Sequence, residues 1–301
     1  MYIYNFGSIN IDYVYKVDHF VRPGETLACS SVTSFAGGKG YNQTIALARA
    51  GASVKHIGTI GSDGRGMVET LTQEGVDVSN IAVVPDLQTG HAIIQVVPDG
   101  QNSIIVAAGA NFATGREFVE KALKTASSKD FLLVQNETSC VAEAIEIARQ
   151  QNVKVALNPS PMDKKILELP LDKVDCFLVN EEEAFSLSGF KDAPESVLGK
   201  LHLQFPDACV IMTLGSDGVI AIEPTGAVSR ADAYKVNAVD TTAAGDTFTG
   251  YFLASVTNGE SVKEALEIAS AAAAISVTRP GASPSIPYKK EVLDWLRMQR
   301  K

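Results

Sequence analysis

Short apolar runs alternate with amphipathic stretches through most of the chain. FLLVQN (131–136), VKVALN (153–158), CFLVN (176–180) and CVIMTLG (209–215) are β-rich runs separated by helical patterns such as VAEAIEIARQQN, which predicts a parallel, doubly wound α/β sheet. The first strand is expected over YIYNFGSIN (2–10), ending near the polar residues Asn10 and Asp12. Other strands end in Asn136-Glu137, Asn158-Pro159 and Asn180-Glu181, so polar groups should line one edge of the sheet, the edge where open α/β sheets bind ligands. Two pairs of β-like stretches break the alternation. YVYKV and TLACSSVTSF flank Arg22-Pro23-Gly24-Glu25, and HAIIQVV and SIIVAAG flank the hairpin signature Pro98-Asp99-Gly100-Gln101. They lack crossover helices, so segments of about 13–36 and 88–108 are expected to form a small antiparallel sheet, a lid.

Composition narrows the function. The 301 residues are 46% hydrophobic and 20% charged, enough to bury a core and too apolar for a disordered chain. The net charge of -9 argues against nucleic acid or an anionic membrane as a bulk partner and favours small molecules. Cys29, Cys140, Cys176 and Cys209 are widely spaced without a C-x-x-C pair, and read as buried thiols of a reducing cytoplasm. His19, His56, His91 and His202 form no zinc motif. No 18-residue apolar run and no leader-like amino terminus occur, so a soluble, cytoplasmic, unprocessed protein is expected.

The strongest local signal is VNAVDTTAAGDTFTGYFLASV (236–256): a strand expected to end at Asp240, a small-residue turn, and a helix beginning around Ala244-Gly245-Asp246. Free amides at a helix start attract anions, which makes the turn a phosphate cradle, and Asp246 in the same first turn would sit beside that phosphate. By spacing alone, Asp246 also fits a residue that merely complements the helix dipole. Ser261 and Glu264 form a capping box opening a second helix, which returns antiparallel so that residues 276–285 face Asp240–Thr242. Backbone carbonyls, Ser276 and Ser285 opposite the Asp240 carboxylate would offer hard oxygens to a cation; a solvated, capped loop is the plainer reading. AGGKGYNQ (36–43) clusters glycines before a helix and carries Lys39 and Asn42, but it matches neither a P-loop nor a dinucleotide fingerprint. Asn180-Glu181-Glu182-Glu183 reads as an Asn cap with an acidic first turn, or as an outer-sphere magnesium site through Asn180 and Glu183. TLGSDG (213–218) is either an ordinary turn or the floor of a nucleotide pocket.

Together GSINID, AGGKGYNQ, NEEE, TLGSDG, DTTAAGDTF and AAAAISVTRPGASPSIP resemble, in order and approximate spacing, the ribokinase branch of the PfkB carbohydrate kinases over nearly the whole chain. That resemblance implies one kinase domain over 1–301, a three-layer α/β/α core with a β-sheet lid inserted, transfer of the ATP γ-phosphoryl group to a sugar primary hydroxyl, dependence on Mg2+ and activation by K+. It implies Asp246 as catalytic base, with the amides of Ala243, Ala244 and Gly245 as anion hole, and Asn10, Asp12, Gly38, Lys39, Asn42 and Glu137 as sugar contacts. Asn180, Thr213, Leu214, Gly215, Ser216, Asp217, Gly218, Gly245 and Ser270 fall on the nucleotide side, with Asn180 and Glu183 reaching magnesium through water. Asp240, Thr242, Ser276, Arg279, Gly281 and Ser285 match a potassium loop, mostly through main-chain oxygens. The expected reaction converts D-ribose and ATP to ribose 5-phosphate and ADP, with an alcohol group as acceptor. Tyr41 and Asn136 depart from the family pattern at positions expected beside the sugar, which leaves 2-deoxyribose, another pentose or a nucleoside as the alternative acceptor. A sugar-sensing protein without turnover is the alternative from another class. Apolar two-sided strands such as HAIIQVV also point to a homodimer through the lids.

Overall fold

The computed structural model describes residues 1–299. The chain opens with β1 (Ile3–Phe6), β2 (Asn10–Lys16), β3 (Ser31–Gly37), α1 (Lys39–Arg49), β4 (Val54–Ile60), α2 (Arg65–Gln73) and β5 (Asp77–Val83). It continues through β6 (Gly90–Val96), β7 (Asn102–Ala107), α3 (Arg116–Leu123), β8 (Phe131–Val134), α4 (Val141–Gln150), β9 (Lys154–Leu157), β10 (Cys176–Asn180), α5 (Glu181–Ser188) and α6 (Pro194–Gln204). The last third holds β11 (Cys209–Thr213), β12 (Val219–Ile222), β13 (Val228–Ala231), α7 (Ala244–Thr257), α8 (Val262–Ser276) and α9 (Lys289–Gln299).

Nine strands form the main sheet in the order β13-β12-β11-β10-β9-β8-β1-β4-β5. From β11 through β5 every pair is parallel, and β12 and β13 add an antiparallel edge. Both faces are covered, as all-parallel strands require. One core packs β1 and β4 side chains against α1, α7 and α8, and the other packs the opposite face against α3, α4, α5 and α6. The strand order reverses at β1, which has β8 on one side and β4 on the other, so a crevice opens beyond the carboxyl ends of β1 and β8.

Helix α7 is buried over most of its circumference and is wedged between α1 and α8. Gly250 makes the α1 contact possible: a Cβ there would lie 2.4 Å from the Ala46 Cβ. The amino end of α1 approaches the main sheet as closely, because a Cβ on Gly40 would meet the Gly7 carbonyl carbon and the Ser8 nitrogen at 2.4 Å. These small residues let the first turns of α1 and α7 meet above the crevice.

The second sheet has four strands in the order β3-β2-β6-β7. Its outer pairs are antiparallel hairpins, as expected, but the central β2–β6 pair is parallel. The chain travels from β2 to β6 through β3, α1, β4, α2 and β5, a crossover that a parallel pair needs and that the local sequence does not reveal. Asn10 and Asp12 belong to this sheet rather than to the end of the first core strand, because Gly7-Ser8-Ile9 breaks the backbone and β2 starts at Asn10. The expected strand before Asp240 is also absent. Residues 232–243 form a loop whose Val239 and Asp240 amides both donate to the Val277 carbonyl, at 2.7 and 3.2 Å, so the end of α8 satisfies them instead of a neighbouring strand.

All four cysteines are free, but only Cys176 is fully buried; Cys29 is exposed in the loop before β3. Burial pushes the Cys209 thiol up to about 12, and Cys176, its register partner across β10–β11, is pushed up by the same cause. Among the described residues, no helix is long and apolar enough to cross a membrane.

Candidate active site

Helix α7 begins at Ala244 after Ala243, whose left-handed backbone (φ 59°) turns the chain abruptly into the first helical turn. The Ala244 amide turns back onto the Thr241 carbonyl at 3.2 Å. The amides of Gly245 and Asp246 have no acceptor within the helix, whereas the Ala244 amide of the expected Ala243–Gly245 set is already engaged. Asp246 lies in this turn with only 7% of its surface exposed. Its Oδ2 accepts from Asn42 Nδ2 at 3.2 Å and its Oδ1 from Gln43 Nε2 at 2.9 Å. Both donors come from the first turns of α1, which the Gly250 contact holds against α7.

Around this carboxylate the structure gathers the expected sugar-side residues. Gly38 caps α1 with φ 89°, a left-handed backbone that glycine adopts without strain, and this delivers Lys39 and Asn42 into the crevice. Glu137, just beyond β8, accepts from the Ser8 hydroxyl and from the Lys39 amide, the latter at 2.9 Å. Asn10, buried at the start of β2, accepts from Asn111 Nδ2 at 2.7 Å. Burial, and next the Glu137 and Asp246 carboxylates, push the Asp12 carboxyl up to about 7. Burial likewise raises Glu137, despite the opposing Ser8 and Lys39 contacts. Burial opposes the charge on Lys39, but Asp246, Glu137 and Glu183 outweigh it and hold the ammonium above its ordinary value. Lys39 therefore stands where three carboxylates converge.

On the other side of Asp246 lies a cavity of about 220 Å³. Lys39, Asn180, Glu183, Thr213, Ala244, Gly245 and Asp246 contribute to its walls, with Leu178, Ile211 and Phe248 as apolar surface. Asn180 and Glu183 form a complete capping box on α5, so each has committed one oxygen to the other's backbone amide. Glu183 Oε1 remains free to accept from a metal-bound water, and the Asn180 NH2, a donor, is left for an acceptor such as a phosphate oxygen. Of TLGSDG, only Thr213 reaches the cavity wall; Leu214, Gly215, Ser216, Asp217 and Gly218 make a tight turn after β11 that lies outside it. Ser270 sits half-buried in the middle of α8, also away from this wall.

The loop expected to hold a monovalent cation does close on itself. Asp240 accepts from the Thr242 amide and from the Gly281 amide, both at 2.9 Å, which ties 240–242 to 276–285. Burial works against the Asp240 carboxylate, but the bonds from Thr242 and Gly281 outweigh it and hold its pKa down. The Ser276 and Ser285 hydroxyls donate within their own turns, to Ala273 and Ala282, so carbonyl oxygens are the natural donors here. The Arg279 side chain points to Glu291, which leaves only its main chain facing this loop.

Other side chains behind Asp246 were given no role by the sequence, although Gln43 closes the AGGKGYNQ segment and Asn158 ends a strand. Gln43, Gln135, Asn5 and Asn158 form a buried amide chain behind Asp246. The available signal was an amide side chain inside an otherwise apolar strand, as in IYNF and FLLVQ. In the other direction, Tyr41 is not beside the sugar group: its ring is fully buried in the core on the α1–α2 side. Helical spacing turns residue 41 away from the face carrying Lys39, Asn42 and Gln43. Asn136 is engaged by its neighbour, donating from Nδ2 to the Pro161 carbonyl at 2.8 Å.

Comparison with known proteins fits this arrangement. The ribokinase of Haemophilus influenzae is 42% identical over 297 residues, covering 96% of both chains, and that of Staphylococcus aureus is 36% identical over 295 residues, covering 95% of this chain and 96% of the other. The structure of Arabidopsis thaliana ribokinase complexed with ribose and ATP superposes with a TM-score of 0.88 at 30% identity, over 98% of each chain. The ADP complex of Cryptococcus neoformans ribokinase gives 0.85 at 34% identity, over 97% of this chain and 99% of the other. The pfkB family carbohydrate kinase model matches residues 2–289, and the chain belongs to that family.

Proposed function

We propose that the chain transfers the γ-phosphoryl group of ATP to the 5-hydroxyl of D-ribose, giving ribose 5-phosphate and ADP. One observation carries this reading: a buried carboxylate, Asp246, shares a helix turn with free amides at the boundary between a polar sugar-side cluster and a separate cavity of about 220 Å³. The relatives above are ribokinases, and one solved neighbour holds ribose and ATP.

In this reading Asn10, Asp12, Asn42 and Glu137 hold the sugar hydroxyls and aim one of them at Asp246. Asp246 takes the hydroxyl proton as the oxygen attacks. The Gly245 and Asp246 amides and the Lys39 ammonium face the charge spread over the transferred group, the place where preorganised donors act most strongly. The second sheet, carrying Asn10 and Asp12, covers the sugar side and excludes water. Glu183 and Asn180 would hold Mg2+ through its waters, and the 240–242 and 276–285 oxygens would hold K+. When bound, these ions would offset phosphate charge and stiffen the cradle. Free thiols support a reducing compartment. Exposed apolar side chains on the second sheet, Val32, Phe35, Ile93, Ile104, Ile105 and Val106, support pairing of two lids in a homodimer. With Tyr41 in the core and Asn136 bound to Pro161, the case for a different acceptor loses its basis.

The test is Asp246→Asn with an acceptor screen. The variant should fold and bind ATP and ribose, yet lose turnover by roughly 10²–10⁴-fold, the usual worth of a positioned general base. Near-full turnover in that variant would remove Asp246 from the chemistry, and no ribose-dependent ADP release from the wild type would end the kinase reading.

A further inference from the structure

We infer that Gln43 is a positioning residue for the Asp246 carboxylate, acting as the last link of a buried amide relay that begins at Gln135. The inference rests on Asp246 being the base and goes beyond it, because Gln43 itself touches no part of the sugar or nucleotide space.

Gln43 is fully buried, and both amide atoms are committed. Its Nε2 donates to Asp246 Oδ1 at 2.9 Å and to Asn158 Oδ1 at 3.0 Å, and its Oε1 accepts from Gln135 Nε2 at 2.7 Å. A carboxylate only accepts, so Asp246 determines which end of the Gln43 amide is nitrogen, and the rest follows. Gln135 must present Nε2 to Gln43 Oε1, and it donates from the same nitrogen to Asn5 Oδ1 at 2.9 Å. Asn5 Nδ2 then donates to the Gly40 carbonyl at 2.8 Å and to Thr44 Oγ1 at 2.7 Å. Thr44 Oγ1 in turn lies within hydrogen-bond distance of His56 Nδ1, at 2.7 Å, and burial pushes the His56 imidazole down to about 4, so the ring is neutral. On the other arm, Asn158 Nδ2 donates to the Leu178 carbonyl at 2.8 Å, which orients its oxygen toward Gln43. Every amide in the relay therefore has one orientation, and reversing any one of them sets two donors or two acceptors against each other.

This is more than a core needs. Apolar residues would fill the space between α1, β1 and β8 at lower risk, because each buried amide is costly unless bonded. The relay ends on one carboxylate oxygen, Oδ1. The other, Oδ2, is held at 3.2 Å by Asn42, whose own Oδ1 lacks a partner and which borders the sugar side. A polyhydroxylated ligand competes for Asn42, but it does not reach Gln43. Gln43 thus stays bonded through the reaction, fixing the rotation of the Asp246 carboxylate.

The experiment measures kcat and KM for Gln43→Met and Gln43→Glu beside wild type and Asp246→Asn, with thermal melts to check folding. Gln43→Met removes the donor; Gln43→Glu keeps the shape but turns an oxygen toward Asp246 Oδ1 and Asn158 Oδ1. Both should lower kcat by roughly 10- to 100-fold and leave KM for ribose and ATP within about threefold, a split that a general loss of folding would not give. If Asp246→Asn is inactive while either folded Gln43 variant keeps wild-type kcat, the positioning role is wrong. If Asp246→Asn keeps its turnover, the failure is in the assignment of the base.

Discussion

Replacing Gly245 by alanine separates a glycine kept for the fold from one kept for a ligand. A Cβ built at Gly245 meets no heavy atom within 4 Å, its backbone is ordinary helix, and the residue is exposed. Nothing in the protein opposes a methyl group there, and helix propensity favours it. The gain in folding free energy should be about 0.4–1 kcal/mol, a rise of roughly 1–3 °C in Tm for a chain of this size. The same methyl would stand in the anion cradle beside the Gly245 and Asp246 amides and keep a phosphoryl group from closing onto them. Loss of one such donor costs roughly 10²–10³-fold in turnover, about 2.7–4 kcal/mol at the transition state. The variant should therefore melt no lower than wild type and release ADP at least a hundredfold more slowly at saturating ribose. Turnover within a few fold of wild type would show that the cradle is not at Gly245. A melting point several degrees lower would show that the glycine serves the fold.

Asp12, raised to about 7 mainly by burial and then by Glu137 and Asp246, holds a proton in the ligand-free fold that the unfolded chain releases near 3.8. Its burial thus costs nothing below about pH 4, costs progressively more up to about 7, and is felt in full above that. Asp12→Asn should raise the ligand-free melting temperature at pH 8 and leave it unchanged at pH 4, while wild-type ribose affinity, if the anion accepts sugar hydroxyls, should rise between pH 6 and 8 and the variant's should not. Arg49 pairs with Glu74 at 2.5 Å and donates to the Ser283 and Ile286 carbonyls at 2.9 and 2.7 Å, anchoring the 276–285 loop to α1. Arg49→Met leaves both carbonyls without their donor and Glu74 with the Tyr288 hydroxyl alone, and should cost about 3 kcal/mol by denaturant melts. Ile105, 63% exposed on the edge strand β7, should seat a partner lid. Ile105→Glu should shift the protein from dimer to monomer in sedimentation, and a wild-type monomer at micromolar concentration would refute lid pairing.

Much of this molecule is written in local chemistry. The Ser261–Glu264 and Asn180–Glu183 capping boxes, the 98–101 hairpin, the parallel strands from β8 to β11 and the Ala244-Gly245-Asp246 helix start were readable because each depends on neighbours a few residues apart. The family motifs also contain Asp246 and the Lys39, Asn42 and Gln43 that stand around it. What local pattern could not supply is which distant groups satisfy which polar atoms. VNAVD has strand composition, yet Val239 and Asp240 find their acceptor at Val277, so no strand forms. Asn10 and Asp12 follow an apolar strand, yet Gly7-Ser8-Ile9 transfers them to the second sheet, whose central parallel pair depends on a crossover through the core. Tyr41 sits inside the most recognisable glycine motif, and helix rotation alone sends it into the core. The relay from Gln135 through Gln43 to Asp246 joins three regions separated by 92 and 203 residues. The chain by itself determined the elements, their caps and the chemical groups available, because those follow from short-range sterics and periodic burial. Only the tertiary structure decided which carboxylate oxygen each amide holds and which face each motif residue presents, because a buried polar group takes its partner from whatever the packing of distant segments brings within about 3 Å.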